Sequence, residues 1–196
     1  MTSVFDMFSI GIGPSSSHTV GPMRVAFRFS KLLEHKKLLD RVSHIKTEFF
    51  GSLGQAGIGH GSGKAVILGL AGFEPETIDP EIIDSFLLQV ETTQRLSLLG
   101  VHDSCFPVKN AITFHRRETL PTHANAMELK AYNGDELLLS QIFYSLGGGF
   151  IVDKREMESL ETTQEDNANY SLASGAELLN SYKGNGFSIS ALMMEN

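Results

Sequence analysis

"AMELKAYNGDELLLSQIFYSL", residues 126–146, is the stretch on which the fold of this chain turns. Its opening alternates Met127, Leu129 and Ala131 on one side with Glu128 and Lys130 on the other, the period of a half-buried strand. "NGD" then supplies turn residues and "ELLLSQIFYSL" continues, so the two halves read as a β-hairpin. Upstream, "HIKTEFFGSL" (residues 44–53) sets Ile45, Thr47 and Phe49 against Lys46 and Glu48 in the same period, and "AITFH" (111–115) is a further strand-like piece.

Helical spacing separates these pieces. Val25, Phe27, Phe29, Leu32, Leu33 and Leu38 form a broad stripe between Val20 and Leu39, with Pro22 suited to a first turn. The 44–53 strand runs into a glycine-rich loop, "GQAGIGHGSG" (54–63), and then into "KAVILGLAG" (64–72), whose Ala65, Val66, Leu68 and Leu70 predict a short, mostly buried helix. Within residues 74–100, Pro75 and Pro80 punctuate the chain before Ile82, Ile83, Phe86, Leu87 and Val90 recur at helical spacing. Residues 153–171 are polar with little periodicity and read as a linker. After it, Ser174 with Glu177 three residues on predicts a helix start, and "KGNG" divides that helix from a second one. The second stops while still apolar, at Leu192, Met193 and Met194, as a chain cut inside a larger protein reads.

With 196 residues, 41% of them hydrophobic, the chain can bury the core of one domain or of one domain plus an appendage. No run approaches the roughly 20 apolar residues of a membrane span, and the amino terminus lacks the basic and apolar segments of a signal peptide. A cytoplasmic protein is expected. The net charge of −7, with scattered lysines and arginines, argues against nucleic acid and for a small-molecule ligand. Cys105 is the single cysteine; it can close no internal disulfide and cannot supply a multi-thiolate metal site, so any iron–sulfur chemistry must come from elsewhere. Within "HDSCFPV" it reads as a small buried hydrophobe at a strand start.

Two loops concentrate chemistry. "GIGPSSSHTVGP" (11–22) places Ser15, Ser16, Ser17, His18 and Thr19 between Gly-Pro pairs ahead of a helix. Backbone N–H groups, hydroxyls and a helix start together make an anion or substrate cradle. Capping alone would explain one hydroxyl. In the second loop, His60 stands between Gly59 and Gly61, where an imidazole can meet whatever fills a cleft and take a proton near neutral pH; a surface histidine in a turn is the plainer alternative. "GIGHGS" lacks the third glycine of a dinucleotide fingerprint, and "GSGK" lacks phosphate-loop spacing. His35, His44 and His102 read as solvated, and His115, beside Arg116 and Arg117, as part of an exposed turn. "LPTHANAM" offers His123 and Asn125 as a second polar edge of the cleft, or as turn chemistry only. A metal site from His18, His60 and His123 would lack paired i, i+4 spacing. Gly147, Gly148 and Gly149 end the hairpin with a run that suits close approach to a ligand or a hinge.

"SVFDMFSIGIGPSSSHTVGPM" (3–23), "LPTHANAM" (120–127) and "YNGDELLLSQIFYSLGGGFIVD" (132–153) together resemble the beta domain of the iron–sulfur L-serine dehydratases, also called L-serine deaminases. The resemblance divides the chain into a beta domain (1–153), a linker (154–173) and the truncated start of an alpha domain (174–196). It implies an α+β fold, a small mixed or antiparallel sheet with helices packed on it, similar to the allosteric substrate-binding domain of some phosphoglycerate dehydrogenases. It implies conversion of L-serine to pyruvate and ammonia through aminoacrylate, with a 4Fe–4S cluster as Lewis acid and no pyridoxal phosphate. His60 matches the family position proposed to remove the α proton, and Ser15, Ser16, Ser17, His18 and Thr19 match the loop facing cluster and substrate. The cluster cysteines of the family lie in the alpha domain, a partner in cis, so no metal ligand is expected in this chain and alone it should be inactive. Where the family commonly reads G-H-G/H-T-D, this sequence has "GHGSGK", with Ser62 for threonine and Gly63 for aspartate. If that aspartate orients the loop or His60, its loss costs positioning. A homodimer is expected. Two rival readings stand beside the enzyme: a regulatory domain that senses L-serine or a related small anion without catalysis, and a structural dimerisation domain.

Overall fold

The computed structural model describes residues 11–163 and a few isolated positions beyond them. Its centre is the hairpin. β5 (Asn125–Asn133) and β6 (Glu136–Gly147) pair antiparallel around Gly134, whose φ of +57° is the left-handed turn geometry glycine adopts freely. β1 (His44–Phe50) lies antiparallel on the other edge of β5, with Ile45 opposite Ala131, Thr47 opposite Leu129 and Phe49 opposite Met127. β7 (Phe150–Asp153) pairs with β6, while β2 (Arg95–Leu98) and β3 (His102–Cys105) form a second antiparallel pair. β3 and β4 (Ile112–Phe114) both join β1 in parallel, giving the order β2-β3-β1-β5-β6-β7 with β4 beside β1. The sheet is mixed.

Because side chains alternate along each strand, this register puts Ile45, Phe49, Met127, Leu129, Ala131 and Phe143 on one buried face. Helices cover it. α1 (Gly21–His35) contributes Val25, Ala26, Phe29 and Leu33 to that core, and α3 (Ser62–Leu70) contributes Val66, Ile67 and Leu70. The opposite face keeps its charges: Lys130 reaches Glu48 at 2.7 Å and Glu128 at 3.0 Å. α4 (Pro80–Thr93) starts on an Asp79 cap that accepts from the Glu81 N–H and buries only Val90 fully. α2 (Gly51–Ala56) and α5 (Val108–Ala111) are single short turns next to β1. α6 (Lys154–Thr163) follows β7 directly, and Asp153 and Glu156 exchange side-chain to backbone hydrogen bonds at its start.

Helices α1 and α3 touch at Gly69, where a Cβ would fall on the Met23 carbonyl oxygen and 2.9 Å from the Ala26 methyl. Gly69→Ala gains up to about 1 kcal/mol of helix propensity, yet it must separate two packed helices. Overpacking of that kind costs about 1–3 kcal/mol. The expected net result is a lower urea midpoint at unchanged m-value.

Several sequence expectations meet a different outcome. The strand predicted over 44–53 ends at Phe50, and the first residues of the expected glycine loop belong to α2. Lys154–Thr163, within the polar stretch read as linker, is helical. The compact unit containing the sheet extends through Met157; residues 158–196 form a second unit. The helices expected from Ser174 onward, and most of that linker, lie outside the described residues. Cys105 is not a buried hydrophobe at a strand start: it is the last residue of β3 and exposed, because burial on this strand falls to Ser104. His115 is not in an exposed turn either, since its ring stacks on Phe50 at 4.6 Å and lies within 3.5 Å of Glu48 and Glu118. His44 and His102 are likewise half-buried, the first stacked on Tyr132 and the second bonded to the Val42 carbonyl at 2.8 Å. No helix among the described residues is long and apolar enough to cross a membrane.

Candidate functional site

The hydroxyl-rich loop enters α1 through one widened turn, Ser16–Val20, in which the Val20 N–H reaches the Ser15 carbonyl and the Gly21 N–H the Ser16 carbonyl. Such i to i+5 turns recur at functional sites because they push side chains out of helical register. Ser15 Oγ accepts from the His18 N–H at 3.1 Å and closes the turn. The His18 ring is thereby presented sideways, with Nδ1 against Ser17 Oγ at 2.8 Å and Nε2 against Ser52 Oγ at 3.0 Å. Ser16 remains exposed.

The second loop is built from the end of α2. His60 N–H and Nδ1 both approach the Ala56 carbonyl, at 3.2 and 2.9 Å. A carbonyl only accepts, so Nδ1 carries the proton in the neutral ring and Nε2 presents its lone pair. Gly61, in left-handed geometry at φ +71°, then turns the chain into α3. The absence of an aspartate at position 63 therefore leaves His60 oriented by backbone. Gly63 is under no steric demand: a Cβ there would meet only Ile112 and Phe114, at ordinary contact distances from 3.5 Å.

The two loops are stitched together. Thr19 Oγ1 donates to the His60 carbonyl at 2.8 Å, Ser62 Oγ donates to the His18 carbonyl, and the two imidazole rings lie 5.0 Å apart, tilted by 44°. Gly13, Pro14 and Thr19 from the first loop, His60 from the second and Lys64 of α3 line a hollow of about 340 Å³ that is otherwise mostly apolar. Ser15, Ser16, Ser17 and His18 do not line this hollow; they connect to it through Thr19 and the His18–His60 contact.

His123 and Asn125 come in from the start of β5. His123 Nδ1 accepts from the Asn125 N–H at 3.0 Å, and Asn125 Nδ2 donates to the Ser145 carbonyl at 3.2 Å. Ser145 in turn donates from Oγ to the Ser17 carbonyl at 2.8 Å, so β6 ties this edge to the first loop. Asn125 Oδ1 is buried and has no hydrogen-bond partner. Leaving such an acceptor unpaired costs about 1–3 kcal/mol. Gly147, Gly148 and Gly149 form the β6–β7 turn at φ +99°, +59° and +81°, and the Gly149 carbonyl accepts from Arg24 of α1 at 2.7 Å. A side chain at Gly149 would press on Arg24 and Val20, so these glycines let the turn lie against the first loop.

Three participants were silent in the sequence reading. Ser52, Ser145 and Arg24 each bond across more than 30 residues to the first loop or its neighbours, and nothing in their local pattern marks them. For Ser52 a faint signal existed: it follows a glycine at the point where the strand period breaks.

Burial disfavours the charged form of His18, a hydrogen bond to the Ser52 backbone favours it, and nearby His60 opposes it again; the net pKa is below the ordinary 6.5. As pH falls through about 6.5, the unfolded chain takes up this proton before the folded one. The unfolded state then binds more protons, so the stability contribution is full above that value and is lost as pH drops toward the folded pKa. Urea titrations at about pH 7.5 and about pH 5.5 should show a loss on acidification that is smaller in His18→Asn.

No group of three or more His, Cys, Asp or Glu side chains among the described residues is arranged to hold a metal ion, and the chain has one thiol. The His18–His60 pair has no third ligand, so these residues do not by themselves fit an iron–sulfur cluster.

On this α+β scaffold two glycine-flanked loops bring Thr19 and His60 to one hollow and set the His18 ring 5.0 Å from His60, the arrangement of a small-molecule site of acid–base type. The serine dehydratase beta chain family matches residues 3–156, and the chain belongs to it. It is 47% identical to an L-serine dehydratase of Streptomyces coelicolor over 196 residues, covering 99% of this chain and 43% of that protein. It is 45% identical to L-serine dehydratase 1 of Escherichia coli (100% and 43% coverage) and 38% identical to an L-serine dehydratase of Haemophilus influenzae (100% and 43%). The chain thus spans less than half the length of these relatives.

Proposed function

We propose that this chain is the beta part of an L-serine dehydratase and supplies half of an active site completed by the protein portion its relatives carry beyond the matched region. The observation that carries the reading is the neutral geometry of His60: Nδ1 is held by the Ala56 carbonyl and Nε2 is left with a lone pair beside the hollow. That is the arrangement of a general base. In the reaction, Nε2 of His60 takes the α proton of L-serine, and the electrons of that C–H bond form the α,β double bond as the β hydroxyl leaves as hydroxide. The abstracted proton and the hydroxide are released as water, and the aminoacrylate, through its imine tautomer, takes up water to give pyruvate and ammonia. Lys64 lines the same hollow and offers a charge to the carboxylate, while Thr19, whose hydroxyl already donates to the His60 carbonyl, holds the two loops together. The 4Fe–4S cluster of the resemblance, which would act as Lewis acid, has its ligands outside residues 1–196, since Cys105 alone cannot hold it.

The test is pyruvate formation from L-serine by the full-length protein after anaerobic reconstitution with iron and sulfide, next to the 196-residue chain alone. Turnover by the first and none by the second is expected. Tight L-serine binding to the 196-residue chain in calorimetry, with no pyruvate from the full protein, would replace the enzyme with a sensing domain.

A further inference from the structure

Ser52 stands at the junction of three segments. It is in the first turn of α2, directly after β1, and its N–H donates to the Ala124 carbonyl at 2.8 Å, one residue before Asn125. Its hydroxyl reaches 34 residues back to Nε2 of His18, at 3.0 Å. The other ring nitrogen of His18 is already taken by Ser17 at 2.8 Å. His18 is therefore held at both ends between a serine of its own loop and a serine fixed to the sheet. A ring held this way has lost its freedom to rotate about its side-chain bonds, and it sits 5.0 Å from His60. Without Ser52, only the adjacent Ser17 would orient it, and Ser17 belongs to the same loop.

We infer that Ser52 is a positioning residue of the dehydration site: through Nε2 of His18 it fixes the face that His18 presents to His60, which lines the hollow. This rests on the dehydratase reading above. The role differs from that of a cap, because the Ser52 hydroxyl bonds a ring of another segment and not a backbone group of α2. It also gives the segment carrying His123 and Asn125 a rigid tie to the hydroxyl loop, one bond on each side of Ser52. A second tie, through Ser145, runs from Asn125 to Ser17. Misplacement of a reacting group by about 1 Å costs up to about 100-fold in rate, which sets the size of the effect to look for.

Two measurements test it, on Ser52→Ala and Ser52→Thr. The first is ring nitrogen NMR of His18 in the 196-residue chain, titrated with pH. Ser52→Ala is expected to move the Nε2 resonance, since its hydroxyl partner at 3.0 Å is gone; the hydrogen bond to the Ser52 backbone that favours the charged ring, and the His60 charge that opposes it, are both unchanged. The second is steady-state kinetics of the reconstituted full-length protein, where Ser52→Ala is expected to lose roughly 10- to 100-fold in kcat with iron content unchanged. Ser52→Thr, which keeps a hydroxyl, should recover most of both readouts. His18 ring-nitrogen resonances indifferent to Ser52→Ala, or a kcat within about twofold of wild type, would overturn the inference. If the wild-type protein makes no pyruvate, the dehydratase reading fails, and the NMR titration still decides whether Ser52 orients His18.

Discussion

His60→Ala is expected to lower kcat for L-serine dehydration by about 10²- to 10⁴-fold, the range that general-base catalysis contributes, while the fold survives. The separation of activity from stability follows from what the side chain holds. The bond joining the two loops here goes from Thr19 to the His60 carbonyl, a backbone group that alanine retains. The one side-chain bond lost, Nδ1 to the Ala56 carbonyl, is part-buried and worth about 1 kcal/mol. The Ala56 carbonyl keeps the residue-60 N–H as donor, so no acceptor is orphaned. Circular dichroism and the urea midpoint should change little. Added imidazole, free to occupy the vacated space beside the hollow, should restore part of the rate. Wild-type turnover in His60→Ala would remove His60 from the chemistry and move attention to His18, the other imidazole of the pair.

How much of this was readable beforehand depends on the range of the interaction involved. The β5–β6 hairpin was legible because alternation and the NGD turn are local, and the observed register buries Met127, Leu129 and Ala131 on the face their spacing predicts. β2 carries no sequence signal and β3 only the strand start expected at Cys105, where the strand in fact ends: they have four residues each, too few for a period to show, and their pairing with one another is what makes them strands. α2 hid inside a glycine-rich stretch whose composition signals a loop; tertiary contacts to β1 and β5 hold it in spite of that composition. At the site, the candidate residues of both loops could be named from chemistry alone. The bonds that relate them could not, because Thr19 to His60, His18 to Ser52 and Ser145 to Ser17 span 41, 34 and 128 residues. Cys105 and His115 were misplaced for the same reason, since which side of a short edge segment is covered depends on the elements that pack there.

Gly51→Ala is expected to cost about 2–5 kcal/mol, the sum of a non-glycine residue in left-handed backbone and a forced contact. A folded domain has about 5–15 kcal/mol in total. Gly51 follows β1 at φ +58°, and a Cβ there would fall on the Ala124 carbonyl oxygen. The carbonyl cannot simply step aside, because it accepts the Ser52 N–H at 2.8 Å, while Gly51 itself donates to the Glu118 carbonyl at 2.7 Å and bridges to Asn125. Moving the Ala124 peptide therefore moves Ser52 and Asn125 together, and with them the orientation of His18 and the tie to Ser145. Stability and turnover should fall in the same variant, unlike the pattern for His60→Ala. Gly134→Ala separates the two contributions: its φ of +57° is nearly the same, but a Cβ there meets nothing within 4 Å. It should lose only the backbone part, about 1–2 kcal/mol, and leave kcat intact, since the hairpin turn touches no residue of the site. Equal urea midpoints for the two variants would mean that the Ala124 peptide yields without cost, and the coupling between the β1 terminus and the site would have to be abandoned.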